Sequence, residues 1–566
     1  MIDKNIILKH VLTNSIKFEG KPNTGAVIGK VVSEIPGAKE QMQAVVKEVN
    51  SAIKEISKLS LEKQKEMLDK IDSHALDKKV IAQRVGLPEW KGAKKGEFVT
   101  RIAPSPSGPL HIGHAFVIGL IYGYKKMYDG TFIVRIEDTN PDNICQEGYD
   151  GIPRDANWLT NNGVDEVMIQ SERLELYYKY AEQLINLGHA YVCTCAQDVF
   201  KKLIEAGEPC PCRNLPPKEN LARWKKMFKG YNEGDAVLRV KTEINHKNPA
   251  MRDWPAARIN DTPHLKTGKK YRVWPLMNLS VVVDDIESGM THIIRGKDHM
   301  DNAKKQEYVY RYLNKTIPET KFIGRINFIG DIEVSCSKTK RAIDEGKFAG
   351  WNDIRLPFLE PLRRRGYQPE AFLKYAEEIG PSQNDKTVTI EDFFKAITAY
   401  NKEIIDPKSN RYFFIAEPEH VTIKNSPKRK VEILLHPEKE TGEKRTFNAE
   451  DEFYLSKDDL KQLKSDKIYR LMDCLNFKKT KSGFEFLSQD YEDYKTKGEM
   501  IMHWLPKDEK LVHAEVLMPD AKVVRGIAEH SVSKMKIGDI CQFERFGFCR
   551  LDSKEGDLHK FWFTHK

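Results

Sequence analysis

Apolar residues in "IGKVVSEIPGAKEQMQAVVKEVNSAIKEISKLS" recur at three- and four-residue spacings, the period of amphipathic helices, and predict a small α-helical domain over residues 1–95. "KGAKKGE" interrupts the pattern with Gly and Lys and reads as a linker. From Glu97 the patterning changes class. "EFVTRIA" is a short apolar strand, "GHAFVIGLIYGYKKMY" a helix and "GTFIVRIED" a second strand, which together predict a βαβ unit and a parallel sheet. A cysteine-bearing insert follows, and "LSVVVDDIESGMTHIIRGKDHM", with apolar runs separated by short acidic turns, predicts that the sheet resumes. "PEAFLKYAEEIG" and "TIEDFFKAITAYNKEIID" are helical. Beyond Pro407 the pattern turns to short strands, among them "RYFFIA", "HVTIK", "KVEILLH", "GFEFLS", "LVHAEVLMP" and "KFWFTH", and predicts one or two β-barrels.

A chain of 566 residues exceeds the ~250–300 at which single cores stop growing, which fits several domains. Lys and Arg number 92 against 83 Asp and Glu, a net charge of +9 that permits a polyanionic partner. The apolar stretch Ala115 to Tyr124 falls short of the ~20 residues that cross a bilayer. "MIDKNIILKH" has no signal-peptide core. A cytoplasmic protein with no membrane partner is expected, and a monomer. Nine cysteines in so long a chain do not suggest a disulfide scaffold.

The run "RIAPSPSGPLHIGHA", residues 101–115, lies where a strand gives way to a helix. Such a loop presents unpaired N–H groups and the positive end of the helix, a site for anions. Gly108 and Gly113 let the backbone approach a ligand, and His111 and His114, one turn apart, can donate to phosphate oxygens. No Glu or third His accompanies them as in zinc hydrolases, and no Gly-Lys-Ser/Thr closes a P-loop.

"HIGH" after "APSPSGPL" resembles the first signature of class I aminoacyl-tRNA synthetases, in which the histidines contact ATP. The second signature of that family, a lysine loop, is matched by "IEVSCSKTKRA", where Ser337 and Lys338 keep the serine and lysine and the first lysine is lost; Lys340 and Arg341 could add charge. "TRIAPSPSG", "RIEDTNPD" and "THIIRGKDH" narrow the resemblance to the glutamyl and glutaminyl branch. It implies that His111, His114 and Lys338 are catalytic, that Gly108, Gly113 and Ser337 join them in holding ATP, and that Arg101, Ser105 and Glu137 bind the amino acid. Arg295 would meet a side-chain carboxylate, which favours glutamate over glutamine; pairing with Asp284 or Asp285 is its alternative role. Met277 stands near a position often held by tyrosine, and Asn278 or Tyr271 could replace the lost hydrogen bond.

The resemblance implies a multi-domain α/β protein. Residues 96–190 and 276–345 would form a Rossmann-type catalytic domain, 191–275 an inserted acceptor-stem-binding domain, 346–400 a helical connector and 401–566 β-barrel anticodon-binding domains of the archaeal and eukaryotic kind. The implied activity joins glutamate, through ATP and Mg²⁺, to the 3′ end of tRNA(Glu), and also of tRNA(Gln) in a non-discriminating enzyme. A glutaminyl enzyme and a tRNA-binding paralogue without activation are the alternatives. Cys193, Cys195, Cys210 and Cys212 form two Cys-x-Cys pairs flanking a helix, suited to a closed structural Zn²⁺ site, with buried free thiols as the other reading.

Overall fold

The computed structural model describes residues 3–18, 20–35, 37–73, 75–76, 86–330, 334–439, 442–507 and 510–566. They fall into two compact units, Met1–Val85 and Gly86–Lys566. In the first, helices Lys4–Lys17, Thr24–Glu34, Met42–Ile56 and Leu61–Ile71 enclose Val11, Leu12, Val27, Val31, Val45, Val49 and Leu68. Asp3, Asn23 and Ser60 accept backbone N–H groups at three of the helix starts, which satisfies donors that the first turn leaves orphaned.

In the second unit, strands Val99–Ile102, Thr131–Ile136 and Glu166–Ile169 are parallel neighbours in that order. Strand His292–Gly296 pairs in parallel with Glu319–Ile323. Thr291 brings this pair alongside the first three: its N–H donates to Val99 O at 3.1 Å and its Oγ1 accepts from Val99 N at 2.8 Å. Strand Val99–Ile102 therefore lies between strands reached by opposite routes, the arrangement whose C-terminal edge opens a crevice. The crossover helix Ile112–Tyr128 is apolar nearly all round because both faces are covered; Ile118, Leu120, Ile121 and Tyr124 are fully buried. "KGAKKGE" lies in this unit, just after Trp90, whose buried indole packs on Phe98 and Tyr124 and donates to Glu319 at 2.9 Å.

Between the sheet halves, Ala190–Cys193, Val237–Val240, Pro255–Ile259 and Val273–Pro275 form an antiparallel four-stranded sheet with helices Gln197–Ala206 and Pro217–Phe228 in its first connection. The chain then differs from its sequence pattern: "MNLSVVVDDIE" is a helix, Met277–Glu287, and Asp284 and Asp285 are buried on it rather than in a turn. Helices Leu359–Arg365, Pro369–Ile379 and Ile390–Ile405 form the connector. The C-terminal region holds two seven-stranded sheets with separate cores, one around Phe413, Phe447 and Trp504, the other around Phe414, Phe543 and Phe561. Among the described residues no helix is long and apolar enough to cross a membrane.

Candidate active site

The loop between Ile102 and Ile112 is held from below. Cys145 N–H donates to Pro106 O at 2.9 Å, and Gly148 and Gly151 of helix Gln146–Leu159 lie so close to Pro106 and Pro109 that a side chain at either would collide. Gly108 fits beneath the indole of Trp351, where a Cβ would stand 2.7 Å from a ring carbon. His111 is the N-cap of helix Ile112–Tyr128. Its Nδ1 accepts from Gly113 N–H at 3.1 Å, and its own N–H donates to His114 Nδ1 at 3.3 Å. A Cβ on Gly113 would sit 2.9 Å from His111 Cε1, so this glycine makes room for the imidazole.

With each Nδ1 accepting, a neutral ring carries its proton on Nε2 and has a donor to offer. Neutrality follows from position: burial, with His114 adding, holds His111 well below its ordinary value, and burial lowers His114 to about 4. The result is two Nε2–H donors beside a helix N-terminus.

The lysine segment meets this loop. Helix Cys336–Asp344 begins at Ser335, and Cys336 Sγ donates to Pro109 O at 3.5 Å. Ser337 and Lys338 are exposed on its first turn, while Lys340 pairs with Asp344 at 3.0 Å on its own helix. Residues 331–333, which include the "IE" of the lysine signature, lie outside the described residues.

At the C-terminal edge of the sheet is a cavity of about 160 Å³ lined by Arg101, Glu137, Met277, Arg295, His299 and Gln306, among others. Its charges are ordered by Asp285, buried in helix Met277–Glu287. Asp285 Oδ1 receives Arg135 Nη1 at 2.5 Å and Arg101 Nε at 3.5 Å. Burial opposes the charge on Asp285, but Arg135, Arg101 and Arg295 outweigh it and hold its carboxyl below the usual range. Arg135 also donates to Glu137 at 3.1 Å. Asp284 is held by Gln170, Arg173 and Tyr177 at 2.8 to 3.0 Å and stands 3.9 Å from Arg135 Nε on the far side of the same network. Arg295 is bonded to Gln306, Nη1 to Oε1 at 2.9 Å, and its Nε is buried with no partner among the described residues. Burial, and next Arg101, push its guanidinium down to about 10, still charged at neutral pH.

Of the amino-acid-binding candidates, Arg101, Glu137 and Arg295 thus share one cavity. Ser105 is exposed on the loop and Asn278 lies behind the wall, its amide spanning Gln306 and Asn302. Tyr271 packs against Tyr178 of helix Leu174–Asn186 and is not among the residues lining the cavity with Met277. Arg135, Gln306 and His299 were not singled out from the sequence, and Asp285, named there as an alternative partner of Arg295, is instead bonded to Arg135 and Arg101 while Arg295 bonds Gln306. Only Arg135 left a local signal, being two residues from Glu137 and so on the same face of its strand.

The four cysteines of the insert converge. Their sulfurs lie within 4.8 Å of one another, with Cys193 to Cys210 at 3.9 Å and Cys195 to Cys212 at 3.8 Å. A tetrahedron of Zn–S bonds of ~2.3 Å has sulfur edges of ~3.8 Å, so the donor set fits a closed site of four thiolates. Arg223 donates to Cys212 Sγ at 3.3 Å, a cation beside what would be a negatively charged cluster.

Comparison with known proteins gives the same picture along the whole chain. The family model for the catalytic domain of class I (E and Q) tRNA synthetases matches residues 97–407, and two models for the anticodon-binding domains of that family match 409–487 and 501–552. A glutamate–tRNA ligase of Methanococcus maripaludis is 41% identical over 568 residues, covering 100% of both chains. One from Pyrococcus furiosus is 42% identical over 581 residues, again covering 100% of both. A solved glutamate tRNA ligase from Elizabethkingia meningosepticum aligns with 56% of this chain and 70% of its own at 21% identity and a TM-score of 0.40. Matched by a single family from the first strand of the parallel sheet to the last sheet, and end to end by two of its members, the chain belongs to the class I tRNA synthetases of the E and Q type.

Proposed function

We infer that the protein is a glutamate–tRNA ligase, which forms glutamyl adenylate from glutamate and ATP with Mg²⁺ and passes the glutamyl group to the 3′ end of tRNA(Glu). The observation that carries this reading is the cavity beside the histidine loop, where Arg295 has a buried Nε with no partner among the described residues and its guanidinium is pressed by Arg101. A guanidinium so placed suits a carboxylate, which it can bind at two atoms. Arg101 and Glu137 would take the other charges of the amino acid, its carboxylate and ammonium.

In this reading the substrate carboxylate attacks the α-phosphorus, an oxygen–phosphorus bond forms, the bond to the bridging oxygen breaks, and pyrophosphate leaves with the charge. No side chain acts as nucleophile. His111 and His114 donate through Nε2–H, the N-terminus of helix Ile112–Tyr128 adds its dipole, and Lys338 adds a cation to the developing charge; Gly108, Gly113 and Ser337 would give the nucleotide its close backbone and hydroxyl contacts. Cys193, Cys195, Cys210 and Cys212 would hold a structural Zn²⁺ that stiffens residues 191–275 where they grip the acceptor end. Residues 401–566 would meet the anticodon, with the enzyme acting as a cytoplasmic monomer.

The test is pyrophosphate exchange with glutamate or glutamine in the presence of tRNA. Glutamate is expected to drive it; exchange with glutamine alone would overturn the reading. Charging of purified tRNA(Gln) in the same assay measures whether the enzyme is discriminating.

A further inference from the structure

Around the cavity and directly behind it, four guanidinium groups, Arg101, Arg135, Arg173 and Arg295, face three carboxylates, Asp284, Asp285 and Glu137. Asp285 and Glu137 are taken by Arg101 and Arg135, Asp284 by Arg173 and Arg135, and among the described residues no ion pair joins Arg295 to any of the three. One positive charge is left over. What holds it is neutral: Gln306, 3% exposed, accepts from Arg295 through its carbonyl oxygen.

The amide of Gln306 has no freedom to turn. Arginine only donates, so Oε1 must face it. Nε2 then donates to Asn278 Oδ1 at 3.1 Å, Asn278 Nδ2 donates to Asn302 Oδ1 at 3.2 Å, and Asn302 Nδ2 reaches His299 Nδ1 at 3.2 Å. The side chains form a chain of one polarity from Arg295 to His299, and both of its ends border the cavity.

We propose that Gln306 is a positioning residue that sets substrate choice: by anchoring Arg295 through an uncharged oxygen, it leaves one positive charge in the cavity for an anionic side chain to neutralise. Bound glutamate, with one net negative charge, completes the balance; glutamine does not. A carboxylate at position 306 would complete it from within the protein and leave a cavity matched to a neutral amide.

The proposal rests on the reading of this cavity as the glutamate site. It is tested by pyrophosphate exchange with the full chain carrying Gln306→Glu or Gln306→Met, using glutamate and glutamine separately in the presence of tRNA. In Gln306→Glu, kcat/KM for glutamate is expected to fall about 100-fold, chiefly through KM, with glutamine exchange little changed. In Gln306→Met the guanidinium keeps its charge and loses its anchor, so KM for glutamate rises about 10-fold while glutamate stays preferred. An unmoved ratio between substrates in Gln306→Glu, or equal losses for both, overturns the proposal. Should Gln306→Glu fail to fold by circular dichroism, Gln306→Met decides, and an unchanged glutamate KM there overturns it. An unsubstituted enzyme that exchanges only glutamine overturns the function reading as well, whereas one that prefers glutamate alongside an unmoved Gln306→Glu ratio overturns the role of Gln306 alone.

Discussion

At the scale of single residues, the loop of His111 and His114 is ordered because each imidazole has one nitrogen occupied. His114 Nδ1 accepts the N–H of His111, and burial keeps the ring neutral, with its pKa lowered to about 4. In the unfolded chain it titrates near ~6.5. Between these values the unfolded chain binds a proton that the folded one refuses, so the stability held in the neutral ring is complete above pH 6.5 and is lost as pH falls to about 4. The stability advantage of the unsubstituted protein over His114→Asn is therefore expected to shrink by on the order of 2 kcal/mol between pH 7 and pH 4. Urea titrations at several pH values check this, and a constant difference would contradict it. The histidines were legible in the sequence because loop and helix start are contiguous there. The partners of Asp285 were not: named from the sequence only as a possible mate for Arg295, it joins Arg135 across 150 positions and Arg101 across 184, and nothing local announces that meeting.

Elements show the same division. The two Cys-x-Cys pairs flank a single helix, so local spacing sufficed to suggest a cluster, and the sulfur separations fit a tetrahedral metal. Purified protein is expected to carry one zinc per chain, and Cys210→Ser to lose it and melt about 5 °C lower. Metal analysis beside thermal melting decides this, and no stoichiometric zinc in the unsubstituted protein would sink the site. Helix Met277–Glu287 illustrates what patterning misses. Three consecutive valines followed by two aspartates suggest a strand and a turn, yet Val282 and Val283 are buried in the core shared with the insert and Val281 borders the cavity, while Asp284 and Asp285 are met by arginines from other elements. Tertiary packing outweighs the modest strand preference of a β-branched run.

For the molecule as a whole, the division at Val85 leaves every residue of the candidate site in Gly86–Lys566. A chain beginning at Gly86 is expected to fold with its own cooperative transition and to retain pyrophosphate exchange within about threefold. Scanning calorimetry of both forms, with the exchange assay, measures this; loss of exchange in a folded truncation would place part of the site in the first unit. Within the larger unit, connector and last sheet are joined at Arg365. Its Nε donates to Phe563 O at 3.2 Å and its Nη2 to Thr564 O at 2.9 Å, while the Thr564 hydroxyl donates back to Arg365 O. Two of these three bonds end on main-chain carbonyls of the final strand. Those two anchors survive any change of side chain along the strand, so substitutions there are expected to alter the surface of the sheet well before they loosen its hold on the connector.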